Sequence, residues 1–411
     1  MKQILNFVMF LFLITSLTYS QLNIGDVGNK KVNEKAWSKI NIDKTIIQNN
    51  QTDYIYTPAP QIYKKYKVDG GEAIVSPNFR PFPNASSTQS EMSIDIHPLN
   101  MNVVFGSANT TSWPVSGLYG TGGYYTTNGG TSWGGFDIPP FGSNSGDPAS
   151  VIGTNGNFYL GFIDGGSNYG GQGVAVSTNN GTNWIRHVVA PAPAGTNDLL
   201  DKNHLWIDKQ VGSPYENRVY AAYTAFVSGS PNNNKVEFRY STNYGVNWSS
   251  AINVSSGTAS GSHDQGVNVA TGPNGEVYSA WAVYDNWSSG NYGEDAIGFN
   301  ISTNGGQTWG TAKRVYAAPN FGVRTNPSSP NPVRLASFPS MAVDRSNGVR
   351  RGTIYMSWPQ IGVTPAGSDM DIVLIKSTNN GTTWTSPVRV NDDPLNNGKR
   401  QYFNWMTVDP S

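Results

Sequence analysis

No cysteine occurs in the 411 residues. Disulfides, thiolate metal sites, cysteine nucleophiles and lipid attachment through a thiol are therefore excluded. Charge is scarce: 13% of residues are Asp, Glu, Lys or Arg, against roughly 25% in an average domain. Glu occurs only seven times, and 27 basic residues balance 27 acidic ones. No Lys/Arg run exceeds two residues, so the basic patch or stripe of a nucleic-acid binder is missing. Beyond the first twenty residues, no apolar run approaches the ~20 residues of a spanning helix. What is abundant is Gly (46), Pro (25) and aromatic residues at 12%. Aromatics argue against disorder, and Gly, Asn, Ser and Thr between them argue for β-sheet with many tight turns. The length suggests two to three domains at about 150 residues each, unless a repeat spends it on one body.

The N-terminus reads separately. Lys2 is followed by an apolar run from Ile4 to Ile14, and Thr18-Tyr19-Ser20 places small residues ahead of a cut before Gln21. That is the pattern of a secretory signal peptide, residues 1–20. The expected location is secreted or at the cell surface, with no membrane span after cleavage. Residues 21–89 read as a leader or linker, and 53–89 as a segment able to donate a strand.

One eight-residue pattern recurs five times: Thr126-Thr-Asn-Gly-Gly-Thr-Ser-Trp133, Ser177-Thr-Asn-Asn-Gly-Thr-Asn-Trp184, Ser241-Thr-Asn-Tyr-Gly-Val-Asn-Trp248, Ser302-Thr-Asn-Gly-Gly-Gln-Thr-Trp309 and Ser377-Thr-Asn-Asn-Gly-Thr-Thr-Trp384. The tryptophans are 51, 64, 61 and 75 positions apart. Strand-like runs flank every copy, so the pattern is a hairpin turn. Asn128, Asn179, Asn243, Asn304 and Asn379 are expected to fold back onto backbone groups two residues on. The Gly two positions later supplies a left-handed backbone angle. The opening Ser or Thr adds a local hydroxyl bond, and each Trp buries a large face between sheets.

Upstream of each turn lie two further strands, as in Ser340-Met-Ala-Val-Asp344 with Gly352-Thr-Ile-Tyr-Met-Ser-Trp358. Each unit thus holds four strands, over about 90–140, 146–192, 200–256, 262–318 and 337–392. Four antiparallel strands repeated radially make a β-propeller, here assigned to residues 90–411. Arg400 to Ser411 reads as the opening strand of a sixth unit. The sixth blade is expected to be cut short by truncation, or else completed by earlier residues.

The eight-residue turn resembles the Asp-box, or bacterial neuraminidase repeat, of sialidase-like propellers, whose pattern is Ser-x-Asp-x-Gly-x-x-Trp. All five copies here carry Asn in place of Asp, which keeps the turn geometry and drops the charge. The resemblance spans about residues 90 to 411. It implies a six-bladed all-β propeller of four-stranded antiparallel blades, with five complete blades and the start of a sixth visible. It also implies that the turns lie on the rim opposite the functional face.

In a propeller the loops before the innermost strands converge on the axis. Those loops carry Glu91, Asp147, Asp201-Lys202-Asn203-His204, His263-Asp264-Gln265 and Arg400-Gln401-Tyr402, a dense ionisable set in a weakly charged chain. Carboxylates and imidazoles gathered there suit acid–base work or cation binding; strand capping is the alternative. The resemblance implies three arginines, a Tyr–Glu pair and an Asp if the chain is a hydrolase. Arg80 in Phe79-Arg-Pro-Phe-Pro83 stands where the first arginine is expected, without the Ile-Pro order. Arg218, Arg239, Arg324 and Arg334 are candidates for later ones. The candidate catalytic set is therefore Arg80, Asp201, His204, Asp264, Arg400 and Tyr402. No cofactor is expected; the acidic loops Asp285–Asp295, with Glu294, and Asp369–Asp371 have the oxygen ligands of a structural Ca2+, with solvated loop charge as the alternative. Two functions stay open: an exo-acting glycosidase of sialidase type, or a non-catalytic propeller binding glycans or proteins.

Overall fold

The computed structural model describes residues 64–68, 71–75 and 81–409, apart from 85, 114–115, 166–169, 195–197, 228–232, 259–261, 286, 288–292 and 325–334. The signal peptide, most of the leader, Arg80 and Arg334 lie outside the described residues. A short hairpin, β1 (Lys64–Val68) and β2 (Gly71–Val75), forms a two-stranded sheet of its own. Five four-stranded antiparallel sheets follow. Blade 1 contains β3 (Ser87–Ile96), β4 (Val104–Ser112), β5 (Leu118–Thr126) and β6 (Gly134–Phe136). Blade 2 contains β7 (Ala149–Ile152), β8 (Phe158–Asp164), β9 (Gly171–Ser177) and β10 (Ile185–Ala190). Blade 3 contains β11 (Leu199–Ile207), β12 (Val219–Phe226), β13 (Lys235–Ser241) and β14 (Ile252–Asn253). Blade 4 contains β15 (His263–Thr271), β16 (Val277–Tyr284), β17 (Ala296–Ser302) and β18 (Lys313–Ala317). Blade 5 contains β19 (Ser340–Val343), β20 (Ile354–Gln360), β21 (Asp371–Ser377) and β22 (Val388–Arg389). Each sheet keeps sequence order from its first strand to its fourth, and the first strands of successive blades touch one another. The chain is a β-propeller.

Burial accounts for the apolar content of the strands. A blade is covered on both faces by its neighbours, so both faces are apolar, and all of β15 and β16 is buried. Residues of a first strand alternate between the preceding and the following blade. Leu205 and Ile207 of blade 3 pack back onto Ala149 and Val151 of blade 2. Val267 and Val269 of blade 4 pack back onto Tyr220 and Phe238, and Met341 and Val343 of blade 5 onto Tyr278 and Phe299. Each such side chain contributes about 1.5–3 kcal/mol on burial, so the molecule is held by a series of inter-blade cores.

The five turns share one hydrogen-bond pattern, which corrects the expected geometry. In the second copy, Ser177 Oγ accepts from the Gly181 amide at 2.9 Å and Asn179 Oδ1 accepts from the Asn183 amide at 2.9 Å. The Asn side chain therefore reaches four residues on, because two successive left-handed residues widen the turn. In the fourth copy those are Gly305 (φ +64°) and Gly306 (φ +84°). The tryptophans are half-buried. Trp184, Trp248, Trp309 and Trp384 each donate Nε1–H to the carbonyl of the turn's second left-handed residue, a glycine in every case. The turns of blades 2 to 5 also dock on the preceding blade: Trp309 meets Phe238 edge-on at 4.8 Å, and Trp384 meets Phe299 at 5.2 Å.

Residues 400–409 follow the pattern of a sixth first strand. Adjoining first strands are joined by an amide donating to a side chain: Ser150 to Ser93 Oγ at 3.0 Å, and Val269 to His204 Nδ1 at 3.2 Å. Met406 donates to Ser340 Oγ at 3.0 Å in the same way. At the far end of the axis, Asp95 of blade 1 is ion-paired with the buried Lys209 of blade 3, and the ammonium also lies 4.7 Å from the Trp206 ring.

Candidate functional site

The first strands run from an axial mouth to that ion-paired base, and three of the five carry a bulge. The ladder of β3 slips between Ser90 and Ser93, that of β11 between Asp201 and His204, and that of β15 between Gln265 and Asn268. The bulged residues are left-handed: Glu91 (φ +52°), Lys202 (φ +55°) and Gly266 (φ +75°), with Asp147 (φ +56°) just before β7. Side chains pay a steric cost there, and bulges re-aim side chains at the rims of β structures. Three of the four positions carry charge, from three different blades.

These charges meet. Lys202 Nζ lies 3.0 Å from Asp147 Oδ2, and the carboxyl groups of Asp201 and Glu91 are within hydrogen-bond reach of Asp147. Asn109 binds both ends of the cluster, donating to Glu91 at 2.9 Å and accepting from the Asp147 amide at 2.7 Å. Burial alone would raise the Asp147 carboxyl, but the Lys202 ammonium and these hydrogen bonds outweigh it and hold it below the usual range. Three carboxyls thus face one ammonium at the mouth.

A second cluster lies at the same end of blade 4, since His263 at the start of β15 pairs with Tyr284 at the end of β16. Tyr284 donates its hydroxyl to Glu294 Oε1 at 3.0 Å, and Glu294 also accepts from the amides of Ser337 and Arg324. Burial raises the Glu294 carboxyl, and it raises the Tyr284 phenol well above its ordinary range. The half-buried Arg324 guanidinium sits 4.4 Å from the centre of the Trp287 ring. Its Nη1 donates to Gln265 Oε1 at 3.3 Å and to Tyr284 Oη at 3.4 Å. His263 stacks on Trp287 at 3.9 Å with the rings parallel to 2°. Asn234 Nδ2 donates to its Nδ1 at 2.8 Å, so Nε2 carries the proton and donates to Gln265 Oε1 at 3.1 Å. Among the described residues, no carboxylate forms an ion pair with Arg324.

The sequence candidates are thus divided. Asp201 belongs to the mouth cluster. His204 faces the axis one layer deeper, between Trp206 at 6.2 Å and Trp405 at 6.3 Å. Burial and the nearby Lys209 push its imidazole down to about 4, so it is neutral. Asp264 is buried away from both clusters, with Ser262 and Ser255 as partners, and burial raises its carboxyl to about 7. Arg400 and Tyr402 are exposed. Arg218 lies at the opposite end, donating to the Gly305 carbonyl within a repeat turn. Arg239 binds Tyr223 and the Ser249 carbonyl. The acidic loops are internally engaged: Asp285 pairs with Arg314, and Asp371 with Arg389. Among the described residues no three His, Asp or Glu side chains form a metal-binding group. Trp287 and Tyr284 were missed as site residues, and Glu294 was named only as an oxygen ligand of an acidic loop; the one available signal was aromatic and acidic sequence ahead of the third strand of unit four.

No protein-family model and no curated protein matches this chain. Among solved structures it is similar to a protein of unknown function from Dyadobacter fermentans, with 13% identity over 75% of this chain and 85% of that one and a TM-score of 0.45. It is similar to a Hadza microbial sialidase at 14% identity, over 75% of this chain and 59% of that one, with a TM-score of 0.46. An α-L-arabinanase of Penicillium chrysogenum complexed with arabinobiose is 11% identical over 71% of this chain and 79% of that one, with a TM-score of 0.44.

Proposed function

We propose that this protein is a secreted or cell-surface propeller that binds glycans at its axial mouth, with Arg324 as the principal donor. The observation that carries the reading is the setting of that guanidinium. It is stacked against Trp287, pinned by Gln265 and Tyr284, and joined to no carboxylate among the described residues. An arginine so fixed has already lost most of its rotamer freedom, and its remaining N–H groups suit the paired oxygens of a sugar. The mouth cluster at the same end of the propeller has three carboxyls to one ammonium, a balance that favours a neutral glycan over a polyanionic one.

The second reading is an exo-glycosidase of sialidase type, favoured by the 3.0 Å Tyr284–Glu294 pair beside Arg324. Against it, Tyr284 has 0% of its surface exposed, and its hydroxyl is already bonded on both sides. A nucleophile needs access to the anomeric carbon. Glycan-array binding alongside fluorogenic sialoside turnover separates the two. The binding reading expects retention of a neutral glycan that Arg324→Ala weakens at least tenfold, with no turnover. Sialoside turnover lost in Tyr284→Phe would replace it with the hydrolase. Loss of neither binding nor turnover in Arg324→Ala would remove the site from this cluster. Export is tested by N-terminal sequencing of secreted material, which should begin at or near Gln21.

A further inference from the structure

In blades 2 to 5 the first-strand residues that face the preceding blade are buried, among them Ile152, Leu205, Val269 and Met341. In blade 1 the same side of β3 is open: Met92, Ile94 and Ile96 are 58%, 64% and 47% exposed. They alternate with Ser93 and Asp95, so they form one apolar stripe on one face of the strand. On the far side of the ring, Tyr355, Ile372 and Leu374 of blade 5 remain half-exposed. Alongside blade 5 runs segment 400–409, bonded to Ser340 and Ser357, with Phe403 69% and Trp405 71% exposed. Contiguous exposed apolar surface of this kind marks an interaction site.

We propose that these faces are the docking surface of the chain's own β1–β2 hairpin. The inference is independent of the glycan reading. A lone two-stranded hairpin is marginal in water and requires a further sheet or an apolar face. The hairpin register pairs Tyr66 with Ala73, Val68 with Gly71 and Lys64 with Val75. Tyr66, Val68, Ala73 and Val75 therefore share one parity with Lys64 and Gly71, and Lys65, Lys67 and Glu72 share the other with Ile74. That is the pattern of a strand pair with one covered face. The tether also fits: residues 76–86 link β2 directly to β3, the strand that carries the open stripe. At about 3.3–3.6 Å per residue they reach on the order of 35–40 Å. Such a tether gives the hairpin an effective concentration in the millimolar range, which a second copy of the chain does not match.

The absence of native cysteine makes the test clean. In the full chain, Ile94→Cys is combined in turn with Tyr66→Cys, Val68→Cys, Ala73→Cys or Val75→Cys. Each variant is oxidised, checked for native near-ultraviolet dichroism and mapped by peptide mass spectrometry. The expected result is an intramolecular disulfide in at least one pair. Ile94→Cys alone should also react with maleimide at least tenfold more slowly than Val349→Cys, a fully exposed position. Met92→Cys replaces Ile94→Cys if the latter fails to fold. A disulfide-linked dimer through the Ile94→Cys thiol would assign the face to a second copy and overturn the proposal. Fast labelling would overturn it too, as would a protected thiol that cross-links to none of the four hairpin positions.

Discussion

Replacing Gly306 with Ala isolates the docking of one repeat turn on its neighbour. Gly306 has φ +84°, and a Cβ built there falls 2.7 Å from Phe238 Cε1 and 2.8 Å from its Cζ. A left-handed L-residue costs roughly 1–2 kcal/mol, and forcing a methyl into a packed site adds about 1–3 kcal/mol. The lost glycine freedom of the unfolded chain returns about 0.4–1 kcal/mol. The net loss should be roughly 2–4 kcal/mol. Gly212 is the control, since it has φ +78° and nothing within 4 Å of its added Cβ. Gly212→Ala should cost only about 0–1.5 kcal/mol. Gly245 is intermediate in kind: its φ is +85°, but the nearest atom is Val176 Cγ2 at 3.4 Å, an ordinary contact. Equilibrium urea unfolding of the three variants, followed by tryptophan fluorescence, gives the ranking. Should Gly306→Ala fall within 0.5 kcal/mol of Gly212→Ala, the turn does not bear on Phe238 and the inter-blade reading is wrong.

Trp309→Ala should cost less than the roughly 3–5 kcal/mol of a fully buried aromatic, because Trp309 is half-buried; a loss above that range in the same assay would contradict its partial exposure. Lys209→Ala leaves Asp95 unpaired at the base of the axis and should cost about 3–5 kcal/mol, with Lys209→Met plus Asp95→Asn recovering much of it. If the single variant unfolds with the wild-type midpoint, the ion pair closes nothing. Asp264 gives a pH signature: its carboxyl is raised to about 7 by burial from a model value of 3.8. The folded state therefore holds this proton when the unfolded chain has lost it, so its contribution is full below 3.8 and vanishes as pH rises through about 7. Wild-type stability should fall between about pH 4 and 7, and Asp264→Asn should flatten that slope; an unchanged slope would place the titration elsewhere. His204 should stay neutral down to about pH 4, seen as an imidazole resonance that does not move between pH 7 and 5.

The repeat was legible because its physics is local. A turn with two left-handed residues takes Gly, Asn or, once, Tyr at the first and Gly at the second, and the Ser or Thr hydroxyl that closes it lies four residues away in the same chain. Five copies at blade-like spacing then place four strands each, so the propeller follows from sequence alone. Convergence at the mouth was partly legible: Glu91, Asp147, Asp201 and Lys202 could be picked out as residues preceding first strands. That they meet around Asp147 could not, because the bulges that aim them are set by how neighbouring first strands fit around the axis. Arg324 and Trp287 show the same limit. They are 37 residues apart in loops with no motif, and only packing of blade 4 against the loop that leads into blade 5 stacks one against the other. Asp264 is the converse case: adjacent in sequence to His263 and Gln265, it is turned by strand alternation into a separate buried pocket. Local backbone rules were written in the residues; which charges meet was decided by the angle between blades.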